Sequence, residues 1–299
     1  MDQRNVLLTG LPRSGTTLAC ELLGSLPDTV GLDEPLDGPA LASSPAAAGR
    51  LHRWLRRTGD PARPSPAVAM DRIARFVADT RSSLVEHGVA RTKVVDGRVQ
   101  GRKVSDEVDD AGVRIKLVSV GEIRTDKALS PDFLLVVKHN SSFTALLPAL
   151  AERFRVHALV RNPVSVLSSW QGVPFPIRDG RVPLAERLNA PLATRLDAID
   201  DPLDRQFYLL EWFFELFTTA LPEDAVTRYE DVVATGGRCL SRLTEQAAAL
   251  AVTLENRNNS RVYEPRRVRE LGIRLLDTDG PWWKLYSREN VEAVMAGDA

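Results

Sequence analysis

The run LLTGLPRSGTTLACELLGSL, residues 7–26, decides the fold class of this chain. It opens with a short apolar stretch of the buried-strand type, predicted over residues 6–9. Beyond Gly15 the leucines recur every fourth residue, which predicts a helix. Between the two lies a loop that starts at Gly10 and ends at Gly15. A strand, a glycine loop and a helix in this order are typical of the start of a parallel α/β sheet.

The loop has the glycine spacing of a nucleotide triphosphate loop, G-x-x-x-x-G-K-[ST], but its lysine is absent. Thr16 stands at that position, and a cation, Arg13, lies three residues earlier. Backbone N–H groups at the start of a helix form an anion site whatever the side chains are. Arg13 adds a planar fork that suits phosphate oxygens. The loop also supplies hydroxyl donors from Ser14, Thr16 and Thr17, and Gly15 contributes its backbone N–H.

The composition favours an ordinary globular protein. The chain has 299 residues, of which 43% are hydrophobic and 26% charged, and its formal net charge is −1. That balance argues against bulk binding to nucleic acid or a membrane surface. Two cysteines without a C-x-x-C pair predict neither a disulfide framework nor a zinc site. With no signal peptide and no apolar run long enough to span a membrane, we expect a cytoplasmic protein. The usage, rich in Arg, Ala and Asp and poor in Lys, indicates a GC-rich bacterial source.

The rest of the chain predicts a parallel α/β sheet flanked by helices, in a single domain over residues 1–299. The apolar runs FLLVV (133–137) and VHALV (156–160) predict two more buried strands. Helices are predicted over residues 70–86, 143–153, 203–220 and 239–251. Three stretches are predicted as substrate-side insertions, at about residues 37–81, 91–125 and 172–191. The first contains LHRWLRR, predicted as a short amphipathic helix, and the second is predicted to contain short strands or a hairpin.

The missing lysine argues against a triphosphate donor. In triphosphate loops that lysine reaches the β- and γ-phosphates, and a strand-end carboxylate helps to hold magnesium. Here the two later strands end in cations, Lys138 and Arg161. This pattern favours an anionic donor that is used without a metal ion.

The segment LPRSGTT resembles the 5′-phosphosulfate loop of the sulfotransferases that use 3′-phosphoadenosine-5′-phosphosulfate (PAPS). In that family a Lys or Arg precedes Ser-Gly-Thr-Thr, as Arg13 does here. VHALVRNPVSVLSSW is similar to the family's 3′-phosphate element, in which a strand ends in Arg and a Ser follows eight residues later. Arg161 and Ser169 have that spacing. VTRYEDVV resembles a recurrent Tyr-Glu-Asp segment, and DGPWWKLYS is similar to a Gly-x-Trp-Lys region near many family C-termini.

The resemblance implies PAPS as the sulfuryl donor, its bisphosphate product PAP as the leaving nucleotide, and a hydroxyl or amine as the acceptor. It implies that Tyr229 lies near the adenine. The implied donor-binding residues are Arg13, Ser14, Gly15, Thr16, Thr17, Arg161, Ser169 and Tyr229. The acceptor is a small molecule, a glycosylated natural product or a carbohydrate, and the sequence leaves these alternatives open. It does not decide the oligomeric state.

Sulfuryl transfer needs a base to take the acceptor proton, and the chain offers two candidates. Glu34 lies nineteen residues after Gly15, in a segment similar to the LYEPL-like stretch of carbohydrate sulfotransferases. His139 corresponds to the histidine of the cytosolic enzymes, but it directly follows Lys138, where that motif has one residue in between. We therefore favour Glu34 and keep His139 in reserve, while Arg13 stabilises charge on the leaving phosphate. We expect structural or surface roles for the remaining histidines, His52, His87 and His157. We expect Asp33, next to Glu34, to be a turn residue.

Two other functions remain open. The first is an ATP-dependent phosphotransferase, against which the absent lysine and magnesium carboxylate argue. The second is a non-catalytic nucleotide-binding protein on the same fold, since a fold alone does not imply activity. The presence of both cations and of a candidate base argues against it.

Overall fold

The computed structural model describes residues 4–36, 65–95, 104–108 and 114–297. Most of the first predicted insertion, with the LHRWLRR segment and His52, lies outside the described residues. Element numbers below refer to the described residues only.

Five parallel strands form the central sheet, in the order β2-β7-β1-β8-β9. Parallel strands end at the same edge of a sheet, so the loops that follow these five strands gather at one edge. The α/β class with a parallel sheet between helices, predicted from the sequence, is confirmed. Within the described residues, the strands are β1 Asn5–Gly10, β2 Thr29–Asp33, β3 Val89–Val94, β4 Val104–Val108, β5 Arg114–Lys116, β6 Ser119–Arg124, β7 Leu134–Lys138, β8 Arg155–Val160 and β9 Val226–Arg228.

Helices begin where the sequence supplies caps. The Asn162 side chain accepts a hydrogen bond from Val164 N, and Pro163 takes the first helical position, where its missing N–H costs nothing. The helices are α1 Thr16–Ser25, α2 Pro66–His87, α3 Ser141–Ala145, α4 Leu147–Arg153, α5 Pro163–Gln171, α6 Pro183–Leu188, α7 Ala190–Asp197, α8 Pro202–Ala220, α9 Tyr229–Ala234, α10 Pro265–Leu276 and α11 Arg288–Ala296.

Two apolar clusters lie on opposite faces of the sheet. In the central strand β1, Leu7 belongs to the larger cluster, whereas Val6 and Leu8 belong to the smaller one. Burial on both faces explains why this strand is a continuous apolar run instead of an alternating one. The larger cluster contains the aromatic side chains of α5 and α8, and the smaller one contains the apolar face of α1.

Two predicted helices were wrong or incomplete. The helix over residues 239–251 is two 3₁₀ helices, Arg238–Arg242 and Glu245–Ala249, because Thr244 between them adopts an extended backbone. The helix over residues 143–153 is divided into α3 and α4 at Leu146, just before a proline.

Strand β2 was missed because Gly31 interrupts its apolar pattern. That glycine is required by a close approach: a Cβ there would lie 2.4 Å from the carbonyl oxygen of Cys20 in α1.

The predicted strands within residues 91–125 are confirmed as two antiparallel ribbons, β3 with β6 and β4 with β5. A hydrogen bond of 2.7 Å from Asp33 N to Thr92 Oγ1 ties the first ribbon to the end of β2. Lys127 binds carbonyl oxygens around the end of α1, at 2.7 Å from Leu26 and 2.8 Å from Thr29. The Asp33–Thr92 contact brings β3 to the carboxyl edge of the sheet, where the glycine loop lies, whereas the Lys127 contacts are at the opposite edge, where β2 begins. Within the described ranges, no helix has the length and apolar character needed to cross a membrane.

Candidate functional site

A cavity of about 540 Å³ opens at the carboxyl edge of the sheet. The segments after β1, β2, β7, β8 and β9 all contribute to its wall, as does the β3 ribbon. Its position is that expected for ligand sites in open parallel sheets.

The shape of the glycine loop is set by close contacts. At Gly10, with φ of 155°, a Cβ would lie 2.3 Å from the carbonyl oxygen of Leu159. At Gly15, with φ of 86°, a Cβ would lie 2.6 Å from the Tyr229 ring. Trp170 Nε1 also donates to the carbonyl of Pro12 at 2.8 Å. The loop is therefore held in one conformation by its neighbours on both sides.

The loop side chains divide into two groups. Ser14 points inward and donates to the carbonyl of Leu159 at 2.9 Å, so it supports the loop and does not line the cavity. Thr16 lines the cavity and donates to Asn140 Oδ1 at 3.0 Å. Arg13, Gly15 and Thr17 also line the cavity.

Arg13 and Ser169, predicted from separate motifs, are in direct contact. Arg13 Nε donates to Ser169 Oγ at 3.1 Å. Ser169 is buried in α5 behind the arginine and does not line the cavity. The serine therefore orients Arg13 in this structure.

Arg161, at the end of β8, lies beside the loop and lines the cavity. Its guanidinium donates three hydrogen bonds: Nε to Asn258 Oδ1 at 2.8 Å, NH1 to the carbonyl of Arg13 at 3.1 Å, and NH2 to the carbonyl of Arg257. A guanidinium has five N–H groups, so two remain for a ligand.

Tyr229 contacts both the glycine loop and Arg161. Its ring packs against Gly15, and the Arg161 guanidinium carbon lies 4.7 Å from the ring centroid. The hydroxyl accepts from Arg257 N at 3.1 Å and donates to the carbonyl of Glu255 at 3.3 Å. Burial raises the pKa of the Tyr229 hydroxyl, so the side chain is neutral.

Glu34 lies at the other end of the cavity, directly after β2. Its backbone is left-handed, with φ of 44°, and its N–H donates to the carbonyl of Lys138 at 2.8 Å. A glutamate in this region costs on the order of 1 kcal/mol, and such outliers occur often at functional sites. The conformation directs its carboxylate towards the cavity wall.

Two lysines hold that carboxylate. Lys138 Nζ lies 2.6 Å from Glu34 Oε1 and 3.0 Å from Asp33 Oδ1. Lys93 of β3 contacts Glu34 Oε2. The Lys138 side chain is 1% exposed and that of Lys93 is 27% exposed, so the second contact is the more accessible one.

His139 does not line the cavity in the described part of the chain. Its Nε2 lies 2.6 Å from the carbonyl oxygen of Leu36, and its Nδ1 lies 2.8 Å from Ser142 Oγ. Because a carbonyl only accepts, Nε2 carries the proton and Nδ1 accepts from the serine. Burial lowers the pKa of His139 to about 4, so the ring is neutral at pH 7.

The other described histidines lie away from the cavity. His157 is buried in β8 beside Thr227 Oγ1, at 2.8 Å, and burial lowers its pKa to about 3. His87 is exposed at the end of α2.

Two predicted insertions contribute an apolar wall. Val104 comes from the β4–β5 ribbon, and Phe175, Ile177 and Val182 come from residues 172–191. Trp170, by contrast, is fully buried against Phe213 and does not line the cavity.

Sequence reasoning missed several polar residues of the site. Lys93, Asn140 and Arg257 line the cavity, and Asn258 and Glu230 lie behind it. Glu230 is part of the quoted Tyr-Glu-Asp segment, which was the available signal; Lys93 has no local signal because its partner lies 59 residues away. Among the described residues, no group of three or more His, Cys, Asp or Glu side chains is placed to hold a metal ion.

The parallel sheet with its strand, glycine loop and helix defines a P-loop-like α/β protein. No family model matches the chain, and no curated protein matches it either. A crystal structure of the sulfotransferase STF1 from Mycobacterium tuberculosis is similar over 99% of this chain and 77% of that chain, with a TM-score of 0.31 and 14% identity.

Proposed function

We propose that the protein is a PAPS-dependent sulfotransferase. The observation that carries this proposal is the presence of two cations, Arg13 and Arg161, in one cavity that the Tyr229 ring also lines. A donor with phosphates at two separate positions and an aromatic base would match that set of groups. ATP, whose phosphates form one chain, would need no second site.

In this proposal the glycine loop and Arg13 bind the 5′-phosphosulfate, and the helix dipole of α1 adds to their attraction for the anion. Arg161 binds the 3′-phosphate with its two remaining N–H groups, and Tyr229 contacts the adenine. Ser169 acts through Arg13, which it orients.

The transfer step moves one proton and one sulfuryl group. The acceptor O–H or N–H proton passes to Glu34 while a bond forms from the acceptor atom to sulfur. The bond from sulfur to the 5′-phosphate oxygen breaks, and the negative charge left on that phosphate is stabilised by Arg13 and the loop N–H groups.

Lys138 and Lys93 each contact one oxygen of Glu34, and two neighbouring cations make a carboxylate a weaker base, so release of one lysine would strengthen it as a proton acceptor. Lys93 is the partner that moves, since it is partly exposed whereas Lys138 is buried. His139 is the weaker candidate, since both of its ring nitrogens are engaged away from the cavity.

The acceptor, a small molecule, a glycosylated natural product or a carbohydrate, would enter along the wall of Phe175, Ile177 and Val182. We propose a single-domain cytoplasmic bacterial enzyme that needs neither a metal nor nucleic acid.

Thermal unfolding with nucleotides tests the donor. A ligand that binds only the folded state at a hundredfold excess over Kd stabilises by about 2.7 kcal/mol, a rise in Tm of about 5 °C or more. PAP should raise the Tm well above the effect of AMP. A larger shift with ATP and magnesium would favour a phosphotransferase instead.

The variant Arg161→Ala should lose the advantage of PAP over AMP and keep the response to AMP. Arg153→Ala is the matched control, since Arg153 pairs with Asp71 on the surface. Equal losses for both nucleotides would contradict a 3′-phosphate role for Arg161.

A further inference from the structure

Asn258 is the link between Arg161 and a partly buried carboxylate, that of Glu230. Its Oδ1 accepts from Arg161 Nε at 2.8 Å, and its Nδ2 donates to Glu230 Oε1 at 2.8 Å. The residue is 2% exposed, and its carbonyl accepts from Ser165 Oγ at 3.2 Å. Its position is therefore fixed on every side.

Glu230 is held by two further donors. Oε1 also accepts from Asn162 N at 3.0 Å, and Oε2 accepts from Tyr286 OH at 2.8 Å. Burial, together with the nearby Glu230 carboxylate, raises the pKa of Tyr286 well above its usual value, so its hydroxyl remains a donor. The Asn162 side chain donates in turn to the carbonyl of Asn290 in α11, at 2.8 Å. The C-terminal segment thus braces the end of β8.

The chemistry of the two neighbours allows Asn258 only one amide orientation. A carboxylate only accepts hydrogen bonds, and a guanidinium only donates them. The amide nitrogen must therefore face Glu230, and the amide oxygen must face Arg161. With Nε committed, the guanidinium keeps one N–H on each of NH1 and NH2 for a ligand.

We propose that Glu230 and Asn258 are positioning residues that determine the preference of the site for a 3′-phosphorylated nucleotide. Glu230 fixes the Asn258 amide, the amide fixes the guanidinium plane of Arg161, and that plane presents two donors to the phosphate. This inference rests on the proposed function, since it concerns the 3′-phosphate of the same donor.

The test is a titration of the full chain with PAP and with AMP by calorimetry. The variants are Asn258→Leu, which removes both side-chain hydrogen bonds, and Glu230→Gln. A glutamine donates as well as accepts, so it no longer imposes the amide orientation. Asp231→Asn is the matched control: it removes the same charge from the next residue, whose carboxylate pairs with Arg228 at 2.8 Å on a half-exposed surface.

The readout is the ratio of the two affinities within each protein, which a general loss of stability does not change. Each variant loses hydrogen bonds to charged groups, so we expect the ratio of PAP affinity to AMP affinity to fall by about tenfold in both. The AMP affinity itself should stay within about twofold of the original. Asp231→Asn should keep the original ratio.

Three outcomes would overturn the proposal. An unchanged ratio in both variants, with a strong PAP preference in the original protein, would reject the positioning role and leave the proposed function standing. Proportional loss of both affinities would indicate general support of the fold. The absence of any PAP preference in the original protein would reject this inference and the proposed function together.

Discussion

The two ends of the cavity hold their charged groups by opposite means. At the donor end, neutral oxygens of Asn258, Arg13 and Arg257 orient the Arg161 guanidinium. At the base end, the ammonium groups of Lys138 and Lys93 hold the Glu34 carboxylate. A cation held by neutral partners keeps its full charge for a ligand, whereas a carboxylate in two ion pairs is already neutralised. The donor end is therefore ready to bind, whereas the carboxylate at the base end becomes a stronger base when one lysine is released.

Both ends share one local feature. Arg13 follows β1 and Glu34 follows β2, and each has a left-handed backbone, with φ of 74° and 44°. These conformations cost on the order of 1 kcal/mol each for residues other than glycine, so the surrounding structure must maintain them.

Replacement of the Glu34 carboxylate should have the largest effect on activity. It would also distinguish the two ends of the cavity, because turnover and nucleotide affinity should respond differently. For Glu34→Gln we expect turnover to fall by about 10²- to 10⁴-fold, the usual contribution of a general base. The donor end is unchanged, so PAP affinity should stay within about twofold. Release of PAP from PAPS, with a panel of phenols, sugars and amines as acceptors, measures the first quantity, and calorimetry measures the second.

Asp33→Asn is the control for that variant, because Asp33 is the neighbouring carboxylate on Lys138. It should retain most of the turnover. Unchanged turnover in Glu34→Gln, together with a large loss in His139→Gln, would transfer the role of base to His139.

Replacement of each of the two lysines of the base end should lower the free energy of unfolding by a different amount. Lys138→Met leaves Asp33 and Glu34 without their buried counter-ion, and breaking a buried pair in this way costs about 3–5 kcal/mol. Lys93→Met removes a partly exposed pair, which contributes less than about 1 kcal/mol. Denaturation in guanidinium chloride gives both values, and equal losses would show that the two lysines are equivalent.

The two buried histidines predict a smaller, pH-dependent effect on the free energy of unfolding. His139 lies beside Glu34, Lys138 and Lys93, and His157 lies in the strand that ends in Arg161. Their pKa values fall from 6.5 to about 4 and about 3 in the folded protein. The unfolded chain therefore binds more protons below pH 6.5, so the stability from neutral burial is complete above pH 6.5 and is lost as the pH falls towards 4.

For His139 the loss is on the order of 3 kcal/mol across that window. The free energy of unfolding, measured at pH 7.5, 5.5 and 4.5, should fall more steeply for the original protein than for His139→Gln. Parallel curves would contradict a neutral, buried His139.

Much of the donor end was predictable because its signals are local. The strand–loop–helix pattern around Arg13 needs only adjacent residues, and β8 followed by Asn162-Pro163 carries its own helix cap. The base end was less predictable. Glu34 was proposed as the base from a resemblance to carbohydrate sulfotransferases. The strand before it was missed because Gly31, which interrupts the apolar pattern, is required by the close approach of α1. The roles assigned to these residues remain predictions.

By itself the sequence determined the α/β class, the glycine loop and the cations at two strand ends, because apolar periodicity and glycine spacing act over a few residues. The tertiary structure alone decided which charges meet. The sheet order β2-β7-β1-β8-β9 places β2 beside β7, and the β3 ribbon carries Lys93 to the same edge. Glu34 thereby meets lysines 59 and 104 residues away. Such pairings depend on the order of strands and on burial, which no local pattern encodes.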